Sequence, residues 1–375
     1  MIYLDYSANT PVDARVLEQF CAVERRCIGN ANSHHQAGSA AKAEIDAATI
    51  KIASLLGVQP AEIIYTSGAS EANNFALKGL ARLSRHAGRH IISTPLEHSS
   101  VSGTLTALQE QGYEIDLLDV KQDGTVDLEH LKDLLRPDTI CVAVTLVDSE
   151  LGVVQPVQEI AAILKAYPHC HLHVDATQAV GKIPVSFEGV DTMSLTAHKF
   201  YGLNGIGLLI KRRNLALEPL IHGGESTTIY RSGTPTVALA SSLACALDLA
   251  VIDLPNRVDH VAKLNAELRA ALSTYPLVRI NSPDHAIPHV LNLSVRNIKG
   301  TVFQRELDAK GVCVSVKSAC SSDGLPSRAV FAVSRDRRNA LSSWRISLSH
   351  LTTEDEIKAF LQAFDVCCRE LTAVH

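Results

Sequence analysis

Lys199, in Ser194-Leu-Thr-Ala-His-Lys-Phe-Tyr-Gly202, and Asp175, in Asp175-Ala-Thr-Gln178, are the residues of this 375-residue chain whose types and spacing point most clearly to a chemistry. A lysine that forms a Schiff base and an aspartate that keeps a pyridinium nitrogen protonated are the two groups pyridoxal phosphate needs from a protein. Each follows a short apolar run, His171-Leu-His-Val174 before Asp175 and Met193-Ser-Leu195 before Thr196. Two strands that end at the same edge of a sheet bring both side chains to one cleft.

Other segments supply matching parts. Thr66-Ser-Gly-Ala-Ser-Glu71 follows a strand pattern and opens a helix over 72–80, so backbone amides and the Ser70 hydroxyl stand where a phosphate binds well. Alone, that junction reads as Ser70 serving as an ordinary N-cap; the downstream lysine and aspartate shift the balance. On an extended segment Thr196 and His198 point the same way and Lys199 the opposite way, giving two donors for one phosphate. His98, in Thr94-Pro-Leu-Glu-His-Ser-Ser100, stands at a helix start, where an imidazole stacks on a ring or carries a proton. His169, His171 and His173 alternate on a strand, with no carboxylate or cysteine at ligand spacing, so no metal site is expected. Cys320, in Val316-Lys-Ser-Ala-Cys-Ser-Ser-Asp-Gly-Leu-Pro-Ser327, lies among small and polar residues, unlike the apolar settings of Cys141, Cys245 and Cys313. A thiol on such a loop is a candidate nucleophile, and from the thiol alone an idle surface cysteine is the commoner case.

These residues need an α/β frame. Strand patterns at 63–66, 90–93, 115–118, 139–145, 171–174 and 207–210 alternate with helical stretches at 40–56, 70–87 and 157–166. Strands separated by helices imply mostly parallel pairing with helices on both faces. Pro255 marks a change to a long amphipathic helix ending near 273, strands at 290–295 and 312–316, and two more helices, read as a smaller α+β domain. The expected division is a large domain over 15–254 and a small one from 1–14 and 255–375.

The bulk numbers narrow the class. A net charge of -5 with both signs interspersed gives no polybasic arm, which points away from nucleic acid and membrane as partners. No apolar run reaches membrane-spanning length and no signal pattern opens the chain, so a cytoplasmic location is expected. Nine scattered cysteines, an odd number, fit a reducing compartment better than a disulfide framework. Most are expected in the core, and helical spacing of Ile357, Phe360, Leu361, Phe364 and Leu371 places at least Cys368 on a packed face.

Taken together, the chain resembles the cysteine desulfurases of the class V aminotransferase group, fold type I, nearly end to end. The resemblance is carried by Ile2-Tyr-Leu-Asp-Tyr-Ser-Ala-Asn-Thr-Pro-Val-Asp13, Gly29-Asn-Ala-Asn-Ser33, the stretches 66–74 and 173–178, Glu97-His98, and Gly152-Val-Val-Gln-Pro156. Further matches are the stretch 197–207, His222-Gly-Gly224, Arg231-Ser-Gly-Thr234, Ser318-Ala-Cys320 and Trp344-Arg-Ile-Ser-Leu348. It implies that Lys199 carries the cofactor, Asp175 pairs with its pyridine nitrogen, Gln178 bonds the ring oxygen and His98 stacks on the ring. Ala69, Ser70, Thr196 and His198 would hold the phosphate, with Thr234 supplied by the other subunit of a homodimer. Arg345, with Ser149 and Asn9, would bind the substrate carboxylate region, and Cys320 would take sulfur from L-cysteine as a persulfide, releasing L-alanine. Lys199, freed from the cofactor, would serve as base, as would be expected of a lysine at that carbon. Sulfur would pass to an acceptor protein for iron-sulfur cluster or thio-cofactor assembly; no motif names that acceptor.

Three departures from the family pattern stand out. Ser149 replaces an asparagine that helps bind substrate carboxylate and cofactor, the stretch 224–230 lacks the usual glycine and acidic residue, and Lys317 replaces a glycine beside the Cys320 segment, where it would stiffen the loop or lower the thiol pKa. The competing readings are another pyridoxal phosphate enzyme of this fold, an aminotransferase or a selenocysteine or cystine lyase, and a non-catalytic sulfur-assembly partner.

Overall fold

The computed structural model describes residues 1–224, 227–317 and 325–372. Its strands, in chain order, are β1 (Ile2–Tyr3), β2 (Ile63–Thr66), β3 (His90–Ser93), β4 (Glu114–Leu117), β5 (Thr139–Thr145), β6 (His171–Asp175), β7 (Thr192–Thr196), β8 (Gly207–Lys211), β9 (Val278–Ile280), β10 (Val290–Val295), β11 (Val312–Cys313) and β12 (Ser343–Ser347).

Seven of them form one sheet in the order β2-β8-β7-β6-β5-β3-β4. Only β8 runs antiparallel to its neighbours; the remaining pairs are parallel. The mixed α/β fold with a mostly parallel sheet between helices is therefore as the sequence implies. Strands β5, β7 and β8 are buried along their whole length; β5 and β8 read accordingly as near-continuous apolar runs, whereas β7, Thr-Met-Ser-Leu-Thr, alternates. Asp175, the last residue of β6, pairs in register with Ser194 of β7, two residues before the end of that strand. Both strands thus deliver their C-terminal residues to one sheet edge.

A helix covers each face. Ala69–Leu83 packs Ala72, Phe75, Ala76, Leu77 and Leu80 against the sheet and ends in the 3-10 turn Ser84–His86. Gln36–Leu56 and Val237–Ile252 lie on another side, and the latter meets Leu254–Leu272 at a 66° bend. Among the described residues no single helix is long and apolar enough to cross a membrane.

A separate core gathers Leu4, Leu264, Leu268, Phe303, Phe360 and Phe364 around Trp344, whose ring stacks on Phe303 at 5.2 Å. Fully burying side chains of this size contributes about 2 kcal/mol or more apiece. Its three-stranded sheet has the order β12-β10-β9, and β1 and β11 form a separate parallel pair.

The structure corrects several local expectations. Residues 312–316 form a strand only over Val312–Cys313, with Ser315 bridging to Arg345. Four helices rather than two follow residue 273 among the described residues: Gly300–Ala309, Arg328–Ser334, Arg337–Ser342 and Glu354–Thr372. The short middle pair was hidden because seven and six residues do not complete an amphipathic period that can be recognised. In the last helix it is Cys367 that is fully buried, while Cys368 packs only partly against the core. The eight described cysteines are all free thiols.

Candidate active site

The helix Ala69–Leu83 starts without a side-chain cap. Gly68, not Ser70, is its N-cap, with φ +155°, and no hydroxyl takes up the first amides. The close approach depends on a second glycine: a Cβ on Gly207 of β8 would lie 2.6 Å from Leu195 O and 2.7 Å from Gly68 Cα. Two glycines therefore let the start of the helix press against β7 and β8, leaving the Ala69 and Ser70 amides as an anion cradle.

Thr196 closes β7 as expected, but Ala197–Lys199 is a 3-10 turn rather than extended chain. Thr196 Oγ1 and His198 Nδ1 still meet, at 3.1 Å. The turn, which opposes no face to another, also brings Lys199 onto the same cavity as those two residues. Lys199 Nζ donates to the carbonyl oxygens of Ser7 at 2.9 Å and Ala8 at 2.6 Å. Burial first, then Lys199 and Lys182, pushes His198 down to about 4, so its ring is neutral at pH 7.

Asp175 is 4% exposed. Its Oδ1 accepts from Thr177 N at 2.9 Å and its Oδ2 from Asn73 Nδ2 at 2.8 Å. Asn73, fully buried, also donates to Ser100 Oγ and accepts from His173 Nε2 at 3.0 Å and from Ser194 Oγ. Burial lowers His173 to about 4, so His173 enters this network as a neutral ring with Nε2 as its donor. The histidine alternation at 169–173 thus ends in a structural role for His173. Asn73 went unnoticed in the sequence; its place on the sheet-facing side of the helix, one turn from the Gly68 cap, was the available signal.

His98 is the N-cap of Ser99–Gln109, its Nδ1 accepting from Ser100 N at 3.1 Å. Burial is the main cause of its lowered pKa, with Lys199 and Arg328 acting the same way and Asp175 opposing. Gln178 donates through Nε2 to Ser7 O at 2.9 Å. Arg345, on β12, donates to Asp5 Oδ1 at 2.9 Å and to the Ser149 carbonyl at 2.8 Å. Ser149 therefore meets the arginine through its backbone.

One cavity of about 330 Å³ is lined by Ala69, Ser70, His98, Ser149, Asp175, Gln178, Thr196, His198, Lys199 and Arg345. Within its walls Ser7 Oγ and Thr177 Oγ1 are buried without a hydrogen-bond partner among the described residues. Asn9 and Thr234 are not on this wall: Asn9 is exposed and bonds Thr10 O, and Thr234 is exposed on the 231–236 segment. Cys320 and residues 225–226 lie outside the described residues. Lys317 lines a neighbouring recess of about 240 Å³ with His98, Ser149, Glu150 and Arg328. A larger surface hollow of about 1100 Å³, between Gln36–Leu56 and residues 227–230, holds none of the cofactor or substrate candidates.

The rim is acidic underneath. Burial pushes the Glu97 carboxyl up to about 8 and Asp148 up to about 7, and raises Glu150, whose Oε2 accepts from Ser327 Oγ at 2.6 Å. Among the described residues no group of three His, Cys, Asp or Glu is arranged to hold a metal ion.

The family description Aminotransferase class-V matches residues 2–360. The chain is 35% identical over 378 residues to "Cysteine desulfurase IscS" of Dictyoglomus turgidum, covering 100% of this chain and 96% of that one. It is 39% identical over 365 residues to the protein of the same name from Proteus mirabilis, covering 95% and 90%. Among solved structures, a "NIFS-LIKE PROTEIN" superposes with a TM-score of 0.92 at 36% identity, covering 98% of this chain and 99% of that chain. "SspA in complex with cysteine" gives 0.83 at 30%, covering 94% and 100%. With the motifs, the fold and the cavity in agreement, the chain belongs to the class V aminotransferase family and, within it, to the cysteine desulfurases.

Proposed function

We propose that this protein is a pyridoxal phosphate-dependent cysteine desulfurase that converts L-cysteine to L-alanine and hands the sulfur, through Cys320, to an acceptor protein of iron-sulfur cluster or thio-cofactor assembly. The carrying observation is convergence: Lys199, Asp175 with Gln178, Arg345 and the uncapped helix start at Ala69, from four separate segments, line one cavity.

The residues fit the cofactor. An open helix start beside Thr196 and His198 suits a phosphate, and Asp175 is a carboxylate positioned by two N–H bonds. The unpartnered Ser7 Oγ and Thr177 Oγ1 are polar atoms whose burial is costly until a ligand bonds them. Lys199, Asp175, Gln178 and His98 would hold the ring, and Ala69, Ser70, Thr196 and His198 the phosphate. Thr234, exposed and away from this chain's cavity, would serve the partner's site in a homodimer. When bound, pyridoxal phosphate withdraws electrons from the substrate Cα.

The chain's own groups do the rest. Lys199 Nζ, steered by the Ser7 and Ala8 carbonyls, moves the Cα proton. Arg345 takes the substrate carboxylate. Neutral His98 and His198 donate or accept without adding charge. The Cys320 thiolate attacks the substrate sulfur; the new S–S bond leaves a persulfide on Cys320, and the electron pair of the broken C–S bond stays with the carbon skeleton, which leaves as alanine after protonation.

Purified protein loaded with pyridoxal 5'-phosphate and given cysteine should form alanine and protein persulfide together. Lys199→Ala should lose the visible absorbance band and slow alanine formation by about 10³-fold or more. A keto acid accumulating in place of alanine would sink the assignment, and a Cys320→Ala variant that releases sulfide from cysteine at the wild-type rate would sink the role of that residue.

A further inference from the structure

Lys182 lies behind the cavity wall, 6% exposed, and its Nζ donates to Gln178 Oε1 at 2.7 Å. The local backbone places it there. Residues 176–183 coil through a helical turn, with Val180 N bonding Ala176 O and Ile183 N bonding Ala179 O, which stacks positions 178 and 182 on one face. Gly181, at φ +75°, lets that turn press on the residue after Lys199: an added Cβ would stand 3.0 Å from Phe200 Cβ.

The contact decides which end of the Gln178 amide is left over. With Oε1 occupied by a lysine donor, Gln178 keeps Nε2, which donates to Ser7 O at 2.9 Å. That carbonyl also accepts from Lys199 Nζ at 2.9 Å. Lys182, Gln178, Ser7 and Lys199 therefore form one chain of hydrogen bonds along the cavity.

The charge around Lys182 is one-sided. Lys199 and His198 reach it from the turn after β7, Arg345 from β12 and His289 from the segment before β10. No carboxylate forms an ion pair with Lys182 among the described residues. Burial first, then Lys199 and Arg345, brings its amine down to about 7. An apolar side chain of similar length would fill this volume without the cost of burying a cation. A buried amine beside four other cationic or basic groups makes physical sense when the cavity holds an anion.

We infer that Lys182 is a positioning residue for the cofactor, fixing Gln178 with its Nε2 donor on the cavity side and supplying positive charge that the bound anion answers. The inference rests on the cavity being a pyridoxal phosphate site.

The test titrates pyridoxal 5'-phosphate into cofactor-free wild type, Lys182→Met, Gln178→Leu and the double variant at pH 8. Calorimetry in two buffers of different ionisation enthalpy gives affinity and proton uptake. Wild type should take up more protons than Lys182→Met, because binding draws a proton onto the lysine. Lys182→Met should bind about tenfold more weakly, the size of a lost hydrogen bond to a charged group. The loss in the double variant should be smaller than the sum of the two single losses, since Lys182 acts in part through Gln178. Cofactor-free Lys182→Met should melt at or above the wild-type temperature. Unchanged affinity and proton uptake, additive losses, or a cofactor-free variant that is destabilised or unfolded would overturn the inference. Failure of wild type to bind at all would overturn the cofactor reading itself, and this inference with it.

Discussion

Asp5 and Arg345 form an ion pair of 2.9 Å that ties the segment after β1 to β12 inside the active-site wall. The arginine side chain is 2% exposed and the aspartate 17%, so this pair is shielded from solvent screening. Ser315 Oγ donates to the other Asp5 oxygen at 2.7 Å, fixing the carboxylate that fixes the guanidinium.

Removing Asp5 leaves a buried cation with one carbonyl partner. Asp5→Ala should lower the unfolding free energy by about 3 kcal/mol in urea titration. It should also raise KM for cysteine more than it lowers kcat, because a guanidinium no longer held in one orientation must be ordered by the substrate. An unchanged KM would separate Asp5 from substrate binding.

Asn73, fully buried, holds four partners. Asn73→Ala strands Asp175 Oδ2, His173 Nε2 and the Ser194 hydroxyl, and should cost about 3 kcal/mol, since each buried polar group left unpaired carries its own desolvation penalty. Equilibrium unfolding of the cofactor-free protein checks this without reference to activity.

Glu97 makes stability depend on pH. Its Oε1 accepts from Thr94 Oγ1 and Thr145 N at 2.8 Å each, while Oε2 is buried with no partner among the described residues. Burial raises the folded pKa to about 8 from the ordinary 4.5 of a glutamate, so between those values the folded state binds more protons than the unfolded state. Stability then falls as pH rises through that window. Glu97→Gln, which keeps the shape of the protonated acid, should flatten the fall between pH 5 and pH 8 and melt higher than wild type at pH 8. Parallel melting curves across that range would refute the reasoning.

Gly207→Ala tests the anion cradle. The new Cβ would meet backbone at 2.6 Å and 2.7 Å, so either β8 or the helix start must move. The variant should lose affinity for inorganic phosphate and for pyridoxal 5'-phosphate together, by about tenfold each, as read by competition in equilibrium dialysis.

Much of this was legible in the sequence because the chemistry sits at strand ends and at one helix start. β2, β3, β5 and β10 fall where apolar runs bounded by turn residues put them. The family resemblance, joined to Lys199 and Asp175, brought out most of the residues that line the cavity. Asn73 and Lys182 were not legible, because each contributes through a partner distant in sequence or through a local turn that composition does not mark. Arg345 was named for the substrate, but its hold on Asp5 depends on β12 lying beside residues 4–7, a long-range pairing with no local signature. The turn at 197–199 broke the expected alternation because the backbone must curl for Gly202 N to reach Ala197 O.

The bond from Ser7 N to Ser347 Oγ spans 340 positions of the chain. Residues 7 and 8 supply the carbonyls that steer Lys199, yet Ser7 is seated by Ser347 of β12, made more than a hundred residues after the last strand of the central sheet. A nascent chain can therefore complete the central sheet long before its lysine is aimed. During synthesis the Lys199 amine stays unaimed until β12 has emerged and seated residues 7 and 8.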